Sequence, residues 1–365
     1  MPFGYADTQY VDLPALMDRS YVEALVLDSG LSFETVLQSI DERLTAYNGF
    51  QDPLVALLAT QTRESFVEYM QARKFVLTPK GEYGLPRPQK GHDAGGHMLP
   101  LNNWEVATGF TEDGLRQMRL AAIEANIDSM LAGFRAQTRY DVLNRLFSDD
   151  ELPVELGKTT ATSPGFAGSG TGLNVYSRPF PNGAALPGGY THYVRTDDAG
   201  RPAALLAAAA KLRKQGHLPP YDLITNDTQL ALIMADTTNF IGVGSALVRP
   251  SPNAAEALVD PSTYLGVYGG VIRVRYAVDE IGSNNIAVFK TYGAGSERNP
   301  LVIRYPDVPG LPDNGKAVYV RSRSLYPLSE ALAIGSWGVG INDRTAAVLL
   351  YVNASGGYVD ATITL

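Results

Sequence analysis

The stretch that decides the fold is "LLAAAAKLRKQGHLPPYDLITNDTQLALIMAD", residues 205–236. Pro202 stands just before it, at a helix start, and Gly216 just past the helix end. Proline's fixed φ suits a first turn, and glycine tolerates the left-handed exit from a last one. Pro219 and Pro220 then punctuate. "YDLIT" is an apolar run of strand length and reads as a buried strand. Asn226 is placed to cap a second helix over "DTQLALIMA", because its side-chain oxygen can accept a free first-turn amide. Helix, strand and helix within so few residues make a compact α/β unit. Downstream, "GVIRVRYAV" (270–278) and "NNIAVFKTYG" (284–293) read as strands joined by the turn-forming "DEIGSN". From Ala317 the tail offers several short strands: "AVYVRSRSLYP", "ALAIGSWGVGI", "TAAVLLYV" and "YVDATITL".

Upstream the pattern changes. Residues 1–30 look irregular. Ser32 can cap a helix through "FETVLQSIDERLTAY", where Phe33, Val36, Leu37, Ile40 and Leu44 form one apolar stripe and Asn48 and Gly49 end it. This opening segment is too thin to form a core alone and reads as an arm lying on something else. From Phe66, "SFVEYMQARKFVLTP" alternates like a strand, as does "LNNWEVATGF" (101–110). Between them the Gly- and Pro-rich "KGEYGLPRPQKGHDAGGHMLP" (80–100) predicts a long hairpin with a loop of about 20 residues, a length that is usually functional or disordered. Thr111 then caps a very long helix. Leu115, Met118, Ala122, Ile127, Met130, Leu131, Phe134, Val142 and Leu146 keep helical spacing, and no proline interrupts before Pro153. About 37 residues would make a rod of ~55 Å. Residues 154–197 return to turns and short strands.

The chain has 365 residues, 45% hydrophobic and only 19% charged, with 36 Gly and 23 Pro. Surface poor in charge often meets another protein. The net charge of −8 argues against a general nucleic-acid binder, which needs a basic face. The alternating pairs Arg273/Arg275 and Arg321/Arg323 are expected on a solvated strand face. There are no cysteines, which excludes disulfides, thiolate nucleophiles and cysteine-held zinc. "MPFGYADTQYVDLPALMDRS" has neither the basic start nor the apolar core of a signal peptide. No apolar run approaches membrane-helix length; "AALLAAAA" (203–210) is the longest. A soluble, cytoplasmic setting is expected.

Three motifs invite chemistry. "KGHDAGGH" (90–97) holds two of the four histidines. His92, Asp93 and His97 are residue types that bind metal. Zincin pairs, however, sit at i and i+4 on a helix with a glutamate between, whereas this pair is i, i+5 among glycines. The competing reading is a flexible polar tip. "GFAGSGTG" (165–172) resembles a phosphate loop but is followed by a strand-like, proline-broken stretch rather than a helix. "GKT" (157–159) lacks the upstream glycine of a nucleotide loop. Asp149/Asp150 and Asp279/Glu280 read as caps and turns. No catalytic, cofactor-binding or metal residue is therefore assigned, and no enzyme activity is expected.

The stretch 205–236, together with "YLGVYGGVIRVRYAV" (264–278), resembles the major capsid proteins of tailed double-stranded DNA bacteriophages, a fold shared with encapsulins. So does the order of arm, hairpin, long helix, α/β unit and returning strands. The resemblance implies an α+β fold with an N-terminal arm (1–65) and an extended β-hairpin loop (66–110). A peripheral domain (111–197 and 301–365) would carry a long spine helix and β-sheet, beside a compact axial α/β domain (198–300). It implies a structural subunit that self-assembles, as hexamers and pentamers, into the icosahedral capsid enclosing the phage genome. The packaged double-stranded DNA would be held without sequence-specific contact. Implied partners are a separate scaffolding protein, since residues 1–32 are too short for a fused one, a portal and a decoration protein; no membrane is implied. The subunit would be made and assembled in the host cytoplasm and end in the virion capsid. "KGHDAGGH" would lie at the end of the hairpin, the part that overlaps a neighbour in such proteins. Some of them cross-link a loop lysine to an asparagine; Lys80 and Lys90 are in the loop here, Asn342 and Asn353 in the tail. An encapsulin-type nanocompartment shell is the alternative within the class. A metal-dependent hydrolase using His92, Asp93 and His97 is the alternative outside it.

Overall fold

Ser32 starts the first long helix, as its position predicts. In the computed structural model its hydroxyl accepts a hydrogen bond from the Thr35 amide at 3.4 Å. The structure describes residues 11–12, 30, 32–72, 92–109, 117–148, 152–156, 159–163, 191–242, 264–293, 295–322, 331–353 and 359–364. The elements, in chain order, are β1 (Val11–Asp12), α1 (Phe33–Gly49), α2 (Pro53–Leu58), β2 (Ala59–Thr62), β3 (Phe66–Ala72), β4 (His92–Met98), β5 (Asn102–Thr108) and α3 (Leu120–Phe147). There follow β6 (Leu152–Leu156), β7 (Thr159–Ser163), β8 (Tyr193–Thr196), α4 (Arg201–Lys214), β9 (Tyr221–Thr225), α5 (Asp227–Met234), β10 (Phe240–Gly242) and β11 (Tyr264–Tyr268). The last are β12 (Ile272–Arg275), β13 (Asn285–Phe289), β14 (Leu301–Arg304), β15 (Tyr319–Ser322), β16 (Ala331–Ile341) and β17 (Ala347–Val352). The chain divides into two compact units, one of residues 1–52, 101–139 and 304–338, the other of 53–100, 140–303 and 339–365.

In the first unit, Val36, Leu37, Ile40 and Leu44 of α1 are all buried, as their spacing predicts. The helix ends at Gly49. Asn48 does more than stop it: its amide donates to the Val318 carbonyl and accepts from the Val318 amide, both at 2.9 Å. That side chain thus completes a strand's backbone pairing from the end of a helix. Arg43 reaches from α1 to Glu124 (2.9 Å) and to Asp128, and Ser39 donates to Glu124 at 2.6 Å, fastening α1 to α3.

The long helix exists but is shorter than expected. It runs for 28 residues, about 42 Å at 1.5 Å per residue, and starts at Leu120. Residues 118 and 119 are not helical, and the Arg119 carbonyl takes the first amides, of Ala122 and Ile123. The expected cap, Thr111, lies outside the described residues. Ile123, Ile127, Met130, Leu131 and Phe134 form the buried face, whereas Ala122, expected on it, is exposed. Phe134 meets Trp337 of β16 edge-on, ring centroids 5.9 Å apart, and Trp104 of β5 stacks on the same indole at 5.8 Å. Gly335 makes this approach feasible. A Cβ there would come within 2.8 Å of Trp337, 3.1 Å of Val318 and 3.2 Å of Phe134. The sheet under the helix is built from β15 and β5, both antiparallel to β16, with β1 parallel to β15.

The hairpin differs from its sequence reading. β5, expected as its second arm, pairs instead with β16, Asn102 opposite Trp337 through Thr108 opposite Ala331. The second arm is "HDAGGHM" itself. It lies antiparallel to β3 with Ala72 opposite His92 and Phe66 opposite Met98. The expected flexible tip is thus a paired strand: a full ladder of β3 partners outweighs the local turn preference of Gly95 and Gly96, which lie opposite Tyr69 and Glu68. Residues 73–91, with Lys80 and Lys90, lie outside the described residues, as does "GFAGSGTG".

In the second unit a seven-stranded sheet has the order β10-β11-β12-β9-β13-β17-β8. All five residues of β9 are buried, as "YDLIT" predicts. β12 and β13 are not neighbours, because β9 lies between them, parallel to β12 and antiparallel to β13. Ala204, Leu205, Ala208, Ala209 and Leu212 of α4 pack on this sheet with Leu223, Val274, Ile286, Val288 and Leu350. Gly216, with φ at +89°, ends α4 in the left-handed conformation that glycine permits. Asn226 caps α5 as expected, accepting from the Gln229 amide at 2.9 Å. No helix among the described residues is long and apolar enough to cross a membrane.

Candidate functional site

The strand geometry of β4 spreads the suspected metal ligands. His92 and His97 are five residues apart, roughly 17 Å along a strand, at positions of opposite parity. Among the described residues no group of three or more potential ligands could hold a metal ion. The His97 side chain is buried, 3% exposed. Burial, then the nearby Arg145 guanidinium, lowers its pKa to about 4, against a smaller opposing hydrogen bond with the Ile341 backbone. His97 is therefore a neutral side chain at the root of the hairpin. Beside it, a cleft of about 480 Å³ is lined by β2, the start of β3, Gly295, Glu297, Val302 and Asn342.

A second polar centre spans three adjacent strands. Asp222 of β9 is wholly buried and binds Arg273 at 2.7 Å, Arg275 at 2.8 Å and the Thr291 hydroxyl at 3.2 Å. Arg273 and Arg275 share one face, as their alternation predicts. That face is not solvated as expected, since the Arg275 side chain is only 7% exposed. The reason is the carboxylate on the neighbouring strand, which sequence spacing cannot reveal. Both Asp222 oxygens are occupied by cations, so the group is built to hold strands together rather than to move protons.

A third centre surrounds His217, in the turn between α4 and β9. Its Nδ1 lies 2.6 Å from the Tyr292 hydroxyl and its Nε2 lies 2.9 Å from the Thr345 hydroxyl. Thr345 in turn donates to Asp343 at 2.5 Å. The members resemble a nucleophile–base–acid relay, but the polarity is reversed. With its only proton given to Asp343, the threonine must accept from Nε2–H, leaving Nδ1 to accept from Tyr292. The imidazole cannot then take the threonine's proton as a general base would. His217, Asp343 and Thr345 are each at most 3% exposed. Nearby, His192 is fully buried and its pKa lies well below the ordinary value through burial, Arg344 and Lys211; burial also lowers Lys211 to about 8. Lys211 donates to the carbonyls of Thr191 (2.7 Å) and Tyr193 (3.2 Å).

The sequence singled out His92, Asp93 and His97 and passed over Asp222, His217, Asp343 and Thr345. The one available signal was composition: an aspartate inside the apolar "YDLIT" needs a buried cation, and "IRVR" offers two. These centres are cross-braces of the second unit, and none presents an exposed nucleophile. Asn342 is buried and Asn353 half-buried, with the Asn353 amide donating to the Tyr351 hydroxyl at 3.3 Å.

No protein-family model matches the sequence, and no curated protein matches it. Among solved structures the chain is similar to one from Mycobacterium phage Patience, with a TM-score of 0.64 and 16% identity, covering 95% of each chain. Looser alignments join it to the Cyanophage Pam1 capsid asymmetric unit, with a TM-score of 0.48, 11% identity and coverage of 82% of this chain and 89% of that one. The bacteriophage PhiM1 mature capsid aligns with a TM-score of 0.47, 9% identity and coverage of 84% and 89%. The first match covers both chains almost end to end, and the chain has the α+β fold of tailed-phage capsid proteins.

Proposed function

We propose that this chain is a structural subunit that self-assembles into the icosahedral capsid of a tailed phage and encloses its double-stranded DNA. The observation that carries the reading is the end-to-end fold match, over 95% of both chains, with a structure from Mycobacterium phage Patience. Its role, in this reading, is structural and non-enzymatic. In this reading residues 1–65 are the arm, 66–110 the extended hairpin loop together with the β5 strand that follows it, 111–197 with 301–365 the peripheral domain, and 198–300 the axial domain. Copies close into hexamers and pentamers, since homo-oligomers adopt closed symmetry. A separate scaffolding protein, a portal and a decoration protein are the further partners. The subunit is made in the host cytoplasm and ends in the virion capsid, where its acidic balance keeps the genome from adhering to the wall.

Electron microscopy of the purified protein, alone and with co-expressed scaffold, tests this. Closed icosahedral particles tens of nanometres across are expected. A stable monomer under every condition, scaffold included, would overturn the reading.

A further inference from the structure

We propose that Lys290 and Arg298, held against the Tyr292 ring in the second unit, with Arg273 close by on the Asp222 oxygen that Thr291 shares, form a binding site for a phosphate-type oxyanion. The register builds it. Arg273 of β12 lies opposite Asp222 of β9, and Asp222 lies opposite Phe289 of β13, so the residues just after β13 emerge beside Arg273. The Lys290 ammonium is 5.7 Å from the Tyr292 ring centroid and the Arg298 guanidinium carbon is 4.6 Å from it. Two charges held against one ring lie within about a Debye length of each other, roughly 10 Å at 0.1 M salt. Neither forms an ion pair among the described residues. Lys290 donates to the Pro220 carbonyl, at 3.1 Å.

The carboxylate that the ion pairs of the described residues bring to the group is Asp222, and it is already bound by Arg273 and Arg275. The locality is thus strongly cationic on a chain of net charge −8. The Lys290 pKa is lowered by burial and then by Arg273, against a smaller opposing effect of Asp222, as expected of a cation crowded by another. The Arg273 side chain is 28% exposed, and its Nε–H has no acceptor. The donors are also preorganised. Arg273 is fixed on Asp222 and Lys290 on Pro220, and the Tyr292 ring that carries the cations is anchored through its hydroxyl on His217. An oxyanion would supply the missing counter-charge and accept charge-assisted hydrogen bonds from groups already in place. The ligand's source is either free phosphate or the phosphates of a DNA backbone.

The full chain, in whatever form it purifies, is titrated with inorganic phosphate against chloride at equal ionic strength, and separately with a short DNA duplex. The same is done for Arg298→Gln, an exposed position whose loss leaves the fold intact, and for Lys290→Gln/Arg298→Gln. Phosphate is expected to raise the melting temperature of the wild type, and the double variant to bind at least tenfold more weakly. If the duplex also binds, with a salt slope that falls by about 2 in the double variant, the source is the DNA backbone. Binding of phosphate without the duplex assigns the free ion. Absence of any phosphate-specific effect in the wild type, or equal binding by both variants and wild type, refutes the site. None of these readings depends on shell formation.

Discussion

Phe134 offers the sharpest test of how the first unit is held together. Its side chain is 2% exposed and packs edge-on against Trp337, over the notch left by Gly335. A buried phenylalanine removes about 150–250 Å² from water, worth roughly 4–6 kcal/mol at 25 cal/mol/Å². Phe134→Ala keeps Cβ, allows some collapse, and should cost about 3–5 kcal/mol. Phe134→Asp adds an unpaired carboxylate in the same space and should lose several kcal/mol more. That total rivals the ~5–15 kcal/mol stability of an ordinary domain, so the aspartate variant should not fold. The assay is built in, because the chain's two tryptophans, Trp104 and Trp337, both belong to this cluster. Urea unfolding followed by tryptophan emission should show a lower midpoint for Phe134→Ala and solvent-exposed emission without denaturant for Phe134→Asp. Native emission and normal particle formation by Phe134→Asp would show that the helix face is wrongly assigned.

Acid should weaken the second unit through His97. Its folded pKa of about 4 lies below the ordinary 6.5, so the unfolded chain binds the proton more tightly. The stabilisation is full above pH 6.5 and is lost as pH falls from there towards 4, about 2.5 kcal/mol by pH 4.5. His97→Gln should flatten that part of the urea-midpoint profile between pH 7.5 and 4.5; an unchanged profile refutes the buried-neutral assignment. Asp222→Asn should cost about 3–5 kcal/mol in urea unfolding, because two arginines lose their counter-charge; a loss below 1 kcal/mol would mean that the centre is solvated. Asn48→Ala should cost about 1–3 kcal/mol, since both polar groups of the Val318 backbone lose their partner, and a neutral effect would remove its docking role. Amides of β4 should be protected from hydrogen exchange in the free subunit with or without chelator, because the β3 ladder protects them; protection that chelator abolishes would restore a metal at His92 and His97.

Local chemistry was legible wherever one segment carries its own instructions. The Ser32 and Asn226 caps, the α1 stripe and the proline and glycine that bracket α4 act within a few residues, and each sits where the sequence puts it. The burial of β9 was legible too, because a short strand run whose other members are apolar or aromatic beside Asp222 and Thr225 needs cover on both faces. The partner of each strand was not. "LNNWEVATGF" alternates equally well beside a hairpin arm or beside β16, more than 200 residues away, and only the assembled sheet chooses. The same holds for "HDAGGHM", where local glycine preference, worth about 1 kcal/mol per residue, yields to a ladder of backbone pairs along β3. Arg275 and His217 make the point for side chains. The burial of Arg275 and the proton position on His217 depend on Asp222 and Thr345, which folding alone brings within hydrogen-bond distance, and hydrogen bonds are too short-ranged to leave any periodic trace in the sequence.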